Sequence, residues 1–173
     1  AKPWLPGVLR PLVRAALRAA EAHAERSMRL LLAEPSYRRR FRRIHPVVPN
    51  TTYVPDAVPP PGRTRVVYVG HVTRARGVAT MIETARRLAG QGLEVEIVGH
   101  GDAAARDLLH RAEADGLLRY HGFLPNDEAM ALVEGALCGL SLLRDLPNYR
   151  HSMPTKVLEY MAHGVPVITT PLP

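Results

Sequence analysis

Pro154-Thr155-Lys156-Val157-Leu158-Glu159-Tyr160-Met161-Ala162-His163-Gly164-Val165-Pro166-Val167-Ile168-Thr169 reads as a helix turning directly into a strand. Proline suits the first helical turn, where its missing N–H costs nothing. The β-branched run Val165 to Thr169 follows with strand character. Working back towards Gly62, the same alternation recurs. Leu137 to Leu143 is a strand preceded by a helix over Asn126 to Gly135, and Leu118 to His121 is a strand preceded by a helix over Ala103 to Ala114. Leu93 to Val98 and Arg65 to Val69 are strands separated by a helix over Val78 to Ala89. Short apolar strands alternating with helices predict an α/β fold with a parallel sheet and flanking helices.

Ahead of this region the pattern changes. Pro46, Pro49, Pro55, Pro59, Pro60 and Pro61 exclude regular helix from Pro46 to Gly62, which reads as an extended connection. Before it, Leu9, Val13, Ala16, Leu17, Ala20, Met28 and Leu31 recur at helical spacing from Leu9 to Leu32, with arginines between them. This predicts an amphipathic helix whose apolar face needs a cover. The expected organisation is a helix and crossover segment over residues 1–49 and a Rossmann-like domain over 50–173. The last strand ends at Pro171-Leu172-Pro173 without a covering helix, and the opening helix belongs to no sheet of its own. A piece of a larger protein is therefore expected.

The 173 residues carry a formal charge of +7, and hydrophobic residues make up 46%, enough for a buried core. Arg38, Arg39, Arg40, Arg42 and Arg43 form the densest cationic run. A solvated helix end is the plain reading of that run; attraction to an anionic membrane surface is the sharper one. Only two phenylalanines are present, which leaves little for base stacking, so no nucleic-acid partner is expected. The single cysteine, Cys138, lies in an apolar stretch and reads as a small buried hydrophobe. No apolar run approaches the roughly 18 to 20 residues that span a bilayer. A cytoplasmic protein is expected, with possible peripheral contact at the inner membrane face.

Three turns lie where an open parallel sheet binds ligands, beyond the carboxyl ends of its strands. In the first, Gly70-His71-Val72-Thr73-Arg74-Ala75-Arg76-Gly77, glycine lets the backbone approach a phosphate, and His71 and Arg76 add hydrogen bonds or charge. The second, Gly99-His100-Gly101-Asp102-Ala103-Ala104, formally fits a dinucleotide pattern. The strand that follows ends in Tyr120, His121 and Gly122 instead of the carboxylate that would hold a nicotinamide cofactor's ribose. In the third segment Lys156 and Glu159, three residues apart, share a helix face near its N-terminal end. Lysine there suits a diphosphate, and the carboxylate suits sugar or ribose hydroxyls. An ordinary surface Lys/Glu pair would have the same spacing.

Taken in order, Val67-Tyr68-Val69-Gly70, Arg76-Gly77, Glu96-Ile97-Val98-Gly99-His100-Gly101, Tyr120-His121-Gly122-Phe123 and Lys156 to Ile168 resemble the C-terminal half of GT-B glycosyltransferases, in particular their large retaining group. The resemblance covers roughly Asn50 to Pro173. It implies that the first turn holds the donor diphosphate, with His71 standing where the family has arginine and Arg76 where it has lysine. It implies that Phe123 and Leu124, in Phe123-Leu124-Pro125, lie against the nucleotide base, and that Glu159 takes the ribose hydroxyls. Eight positions before Glu159, where many members have a first glutamate, this chain has His151, and Ser152-Met153-Pro154-Thr155 replaces the usual glycine-rich stretch.

The expected activity is transfer of a hexosyl group from a nucleoside diphosphate sugar to a carbohydrate, lipid-linked or small-molecule acceptor. Arg76, Lys156 and Glu159 are the candidate catalytic groups. Gly70, His71, Gly99, His100, Phe123, Leu124, His151 and Thr155 are the further donor contacts. No metal and no cofactor are expected, because cations and helix N-termini can offset the leaving-group charge. A nucleotide-sugar epimerase of the same architecture, or a non-catalytic nucleotide-sugar-binding domain, would have many of the same features.

Overall fold

The structure, a computed structural model, describes residues 6–150 and 152–172. The chain divides into two compact units, Ala1–Asn50 and Thr51–Pro173.

The second unit is a five-stranded parallel sheet. Its strands are β1 (Arg65–Val69), β2 (Glu94–Val98), β3 (Arg119–Gly122), β4 (Cys138–Ser141) and β5 (Val167–Thr169), in the spatial order β3-β2-β1-β4-β5. Arg65 pairs with Glu94 and Val69 with Val98 across β1 and β2, while Val66 pairs with Cys138 across β1 and β4. The strand order reverses between β1 and β4, the switch point at which an open sheet leaves a crevice above its carboxyl edge.

Strand alternation builds one core on each face. Val66 and Tyr68 of β1 and Val95 and Ile97 of β2 pack with Met81 of α2 (Val78–Leu88) and Leu109 of α3 (Ala103–Ala114). On the opposite face Val67, Val69 and Val98 pack with Met130 and Val133 of α4 (Asn126–Val133) and with Tyr160 of α5 (Thr155–Ala162). Cys138 is buried in β4, as a small hydrophobe. The strands and helices fall within a few residues of those the sequence predicts. This is the expected Rossmann-like α/β architecture.

Local chemistry sets the helix ends. Asp102 caps α3 by accepting the Ala105 N–H at 2.8 Å. Thr73 accepts the Arg76 N–H through its hydroxyl at 3.2 Å, closing a 3-10 turn (Arg74–Arg76) before Gly77, whose φ of 86° starts α2. The connection from Thr51 to Thr64 is extended, as its prolines require, and is tied down where Gly62 donates to the Gly135 carbonyl at 3.1 Å.

The first unit contains α1 (Arg10–Ser27) and a 3-10 turn (Pro35–Arg40). The helix stops five residues before the Leu32 expected from periodicity. Met28 is extended, and Leu32 leaves the helix to donate to Pro46 O at 2.9 Å and accept from Val48 N at 2.8 Å. The arginine run accordingly lies in and after the separate 3-10 turn, not at the end of α1. Within this unit Glu25 is the one buried residue of α1, whereas Leu12 and Leu17 are 67% and 54% exposed. Glu25 Oε1 accepts the Arg43 and Arg42 N–H groups at 2.7 and 2.9 Å and lies 3.1 Å from His45 Nε2. The Arg43 amide, seconded by His45 and Arg42, holds this carboxyl below the ordinary carboxylate range against the opposing effect of burial. No helix among the described residues is long and apolar enough to cross a membrane.

Candidate functional site

Gly70 and Gly99 end β1 and β2 side by side, with φ values of 147° and 131° in the region that favours glycine. A Cβ on Gly99 would lie 1.9 Å from the Gly70 carbonyl oxygen. The two turns therefore meet only because Gly99 has no side chain. Backbone bonds fix them: Gly70 donates to Val98 O at 2.9 Å, Gly99 to Gly122 O at 2.6 Å, and Val72 to His100 O at 2.6 Å.

Above this edge lies a cleft of about 430 Å³, lined by Gly70, His71, Gly99, His100, Leu124 and Lys156 among others. This size is ordinary for a small-molecule site. His100 and Phe123 stack at its mouth with ring centroids 5.0 Å apart and planes 18° from parallel. Phe123 is 62% exposed and presents a bare aromatic face. Seven of the residues singled out from sequence, Phe123 among them, thus converge on one cleft.

Lys156, in the first turn of α5, closes another side. Its Cε lies 3.5 Å from where a Gly70 Cβ would stand, and its Nζ donates to Glu159 Oε2 at 2.5 Å. Both side chains are largely buried, at 23% and 19% exposure. An ammonium has three donors and a carboxylate about four acceptor positions, so this pair retains capacity for a ligand on each member. Thr155 opens α5 beside Lys156. Glu159 itself faces a neighbouring groove of about 660 Å³ between α4 and α5, lined also by Thr52, Tyr53, Asn126, Glu134 and His163. Asn126 borders both spaces.

Arg76 takes a different position. Its charge acts on the Tyr68 phenol, whose hydroxyl donates to the His71 carbonyl at 2.9 Å. Burial pushes the Tyr68 phenol up, and the positive charge of Arg76 opposes that shift. The Tyr68 oxygen lies 3.4 Å from the Gly70 Cβ position, while Arg76 itself is not among the residues that line the cleft. His151 lies outside the described residues.

Tyr160 anchors the site from below. It is fully buried, and its hydroxyl accepts the Val69 N–H at 2.8 Å and lies 3.4 Å from the Leu140 carbonyl, to which it donates. Gly139 provides the room, since a Cβ there would lie 2.5 Å from the Tyr160 ring. Desolvation raises the Tyr160 phenol far above its usual range, so it stays protonated. Sequence reasoning passed over Tyr68, Asn126 and Tyr160. The first and last occupy apolar positions in a strand and a helix and read as core, while Asn126 had its helix-start position as a signal. Among the described residues no group of three or more His, Cys, Asp or Glu side chains is placed to hold a metal ion.

No curated protein matches the sequence at a significant level. Solved structures do match in fold. HepE of Anabaena, in complex with UDP-glucose, superposes with a TM-score of 0.67 at 16% identity, covering 90% of this chain and 48% of that one. TarM of S. aureus, a mutant in complex with fondaparinux, alpha-GlcNAc-glycerol and UDP, gives 0.64 at 11% identity, with 84% and 30% covered. The lipopolysaccharide outer core galactosyltransferase WaaB, in its apo form, gives 0.56 at 17% identity, with 88% and 46% covered. The chain thus spans from under a third to about half the length of these GT-B enzymes. The family model described as glycosyl transferases group 1 matches residues 63–173, the whole of the sheet and every turn at its carboxyl edge. By that match over most of its length, joined to the fold, this chain belongs to the group 1 glycosyltransferases.

Proposed function

We propose that this chain carries the donor-binding half of a glycosyltransferase that moves a hexosyl group from a nucleoside diphosphate sugar to a carbohydrate, lipid-linked or small-molecule acceptor. The observation that carries the reading is the closure of Lys156 over Gly70 while the same ammonium holds Glu159. One cation thereby stands between a glycine turn suited to a diphosphate and a carboxylate suited to ribose hydroxyls. The UDP-glucose bound to HepE and the UDP bound to TarM support the same ligand class.

In this reading the diphosphate rests on the Gly70 turn, facing Lys156 and the N-terminal turn of α5. As the glycosidic bond breaks, negative charge grows on the diphosphate, and these groups stabilise it at the moment it forms. Arg76 adds a second cation beside Tyr68, whose hydroxyl holds the His71 carbonyl. The base lies on the His100–Phe123 shelf beside Leu124. Thr155, at the start of α5, completes the donor's surroundings. The leaving group is handled by cations and helix N-termini, without a metal ion.

Isothermal titration of the chain with UDP-, GDP- and ADP-sugars tests the proposal. Saturable binding of at least one is expected, weakened about tenfold or more by Lys156→Ala, in line with the loss of a charge-assisted hydrogen bond. No binding at millimolar donor, or binding unchanged in Lys156→Ala, overturns it.

A further inference from the structure

The arginines of the first unit are more organised than a solvated charge run. Arg14 and Arg18 recur on one exposed face of α1, followed on the same face by Glu21 and Glu25. Opposite them the 3-10 turn and its extension supply Arg39, Arg40 and Arg42, and the two sets enclose a groove of about 530 Å³. Leu17 and Phe41 give it apolar walls.

The acids in the groove are already engaged. Glu21 pairs with Arg40. Glu25 is held by two backbone amides and by His45. The guanidinium groups of Arg14, Arg18, Arg39 and Arg42 have no acidic partner among the described residues. Four cations around one concavity repel one another, and like charges at the spacing of Arg14 and Arg18 destabilise a helix. A bound anion would relieve that repulsion. Planar guanidinium forks fit phosphate oxygens in pairs, and the volume is that of a small-ligand site, with apolar walls beside the charges.

We propose that this groove is a binding site for a phosphate-bearing group, separate from the donor cleft. The same chemistry is offered by a soluble phosphate or diphosphate and by a phospholipid headgroup. The site stands on the first unit alone and does not depend on the donor reading.

Amide-resolved NMR during titration with inorganic pyrophosphate locates binding, and the donor cleft gives separate signals. Saturable shifts are expected between residues 14–25 and 38–43, with affinity lowered about tenfold or more in the double variant Arg18→Gln/Arg39→Gln. The control variant Arg26→Gln/Arg63→Gln removes equal charge from exposed positions outside the groove and should leave that affinity unchanged. Co-sedimentation with phosphatidylcholine vesicles, with and without phosphatidic acid, provides the second arm. Binding that requires phosphatidic acid and is lost only in the groove variant assigns a lipid headgroup; pyrophosphate binding alone assigns a soluble phosphate. The proposal is overturned if neither probe binds, or if the groove and control variants weaken binding equally. Unchanged circular dichroism and melting of both variants separate loss of binding from loss of fold.

Discussion

Gly99 shows how much one residue decides. Its positive φ and the Gly70 carbonyl only 1.9 Å from a would-be Cβ leave no place for a methyl group. Gly99→Ala is expected to part the two turns and abolish donor binding; retained affinity in a titration of that variant would show that the turns need not touch. Tyr160 gives a second measure. Tyr160→Phe leaves the buried Val69 N–H without its acceptor, an expected loss of about 1–3 kcal/mol in denaturant unfolding. An unchanged midpoint would mean that another acceptor takes over. The candidate contacts at Gly70, His71, Gly99, His100, Phe123, Leu124 and Lys156 were legible because glycines, cations and aromatics stand out at strand ends. Tyr68 and Tyr160 were not, because a tyrosine inside an apolar run reads the same whether its hydroxyl is idle or bridges two strands.

At the scale of elements, the sheet was legible because β1, β2 and β5 are short β-branched runs beside glycine or proline, and helices with their own apolar period alternate with the strands. The end of α1 was not. Its periodicity continues through Leu31, but tertiary pairing of Leu32 with the Pro46–Val48 segment removes those residues from the helix. Nor does periodicity reveal that the buried member of α1 is Glu25. The Glu25 carboxyl also predicts how that segment responds to acid. A carboxylate whose folded pKa lies below its unfolded value stabilises fully above the ordinary carboxylate range, and that contribution fades as pH falls through the depressed value. Hydrogen exchange should therefore show protection of the Arg42 and Arg43 amides at neutral pH and its loss in acid, with Glu25→Gln already less protected at neutral pH. Protection independent of pH would contradict this account.

For the whole molecule, the strand order places the reversal between β1 and β4, and the turn after β1, the turn after β2 and the start of α5 meet at the carboxyl edge. The Lys156 ammonium, an aromatic shelf and a carboxylate one turn into α5 surround that edge. The central claim is that a nucleoside diphosphate occupies it. The most direct measurement is an amide-resolved NMR titration of the chain with UDP, GDP and ADP in turn. With at least one of them, saturable shifts are predicted at Gly70, His71, Gly99, His100, Phe123 and Lys156. No saturable shift with any nucleotide, or shifts confined to residues away from the carboxyl edge of the sheet, would contradict it.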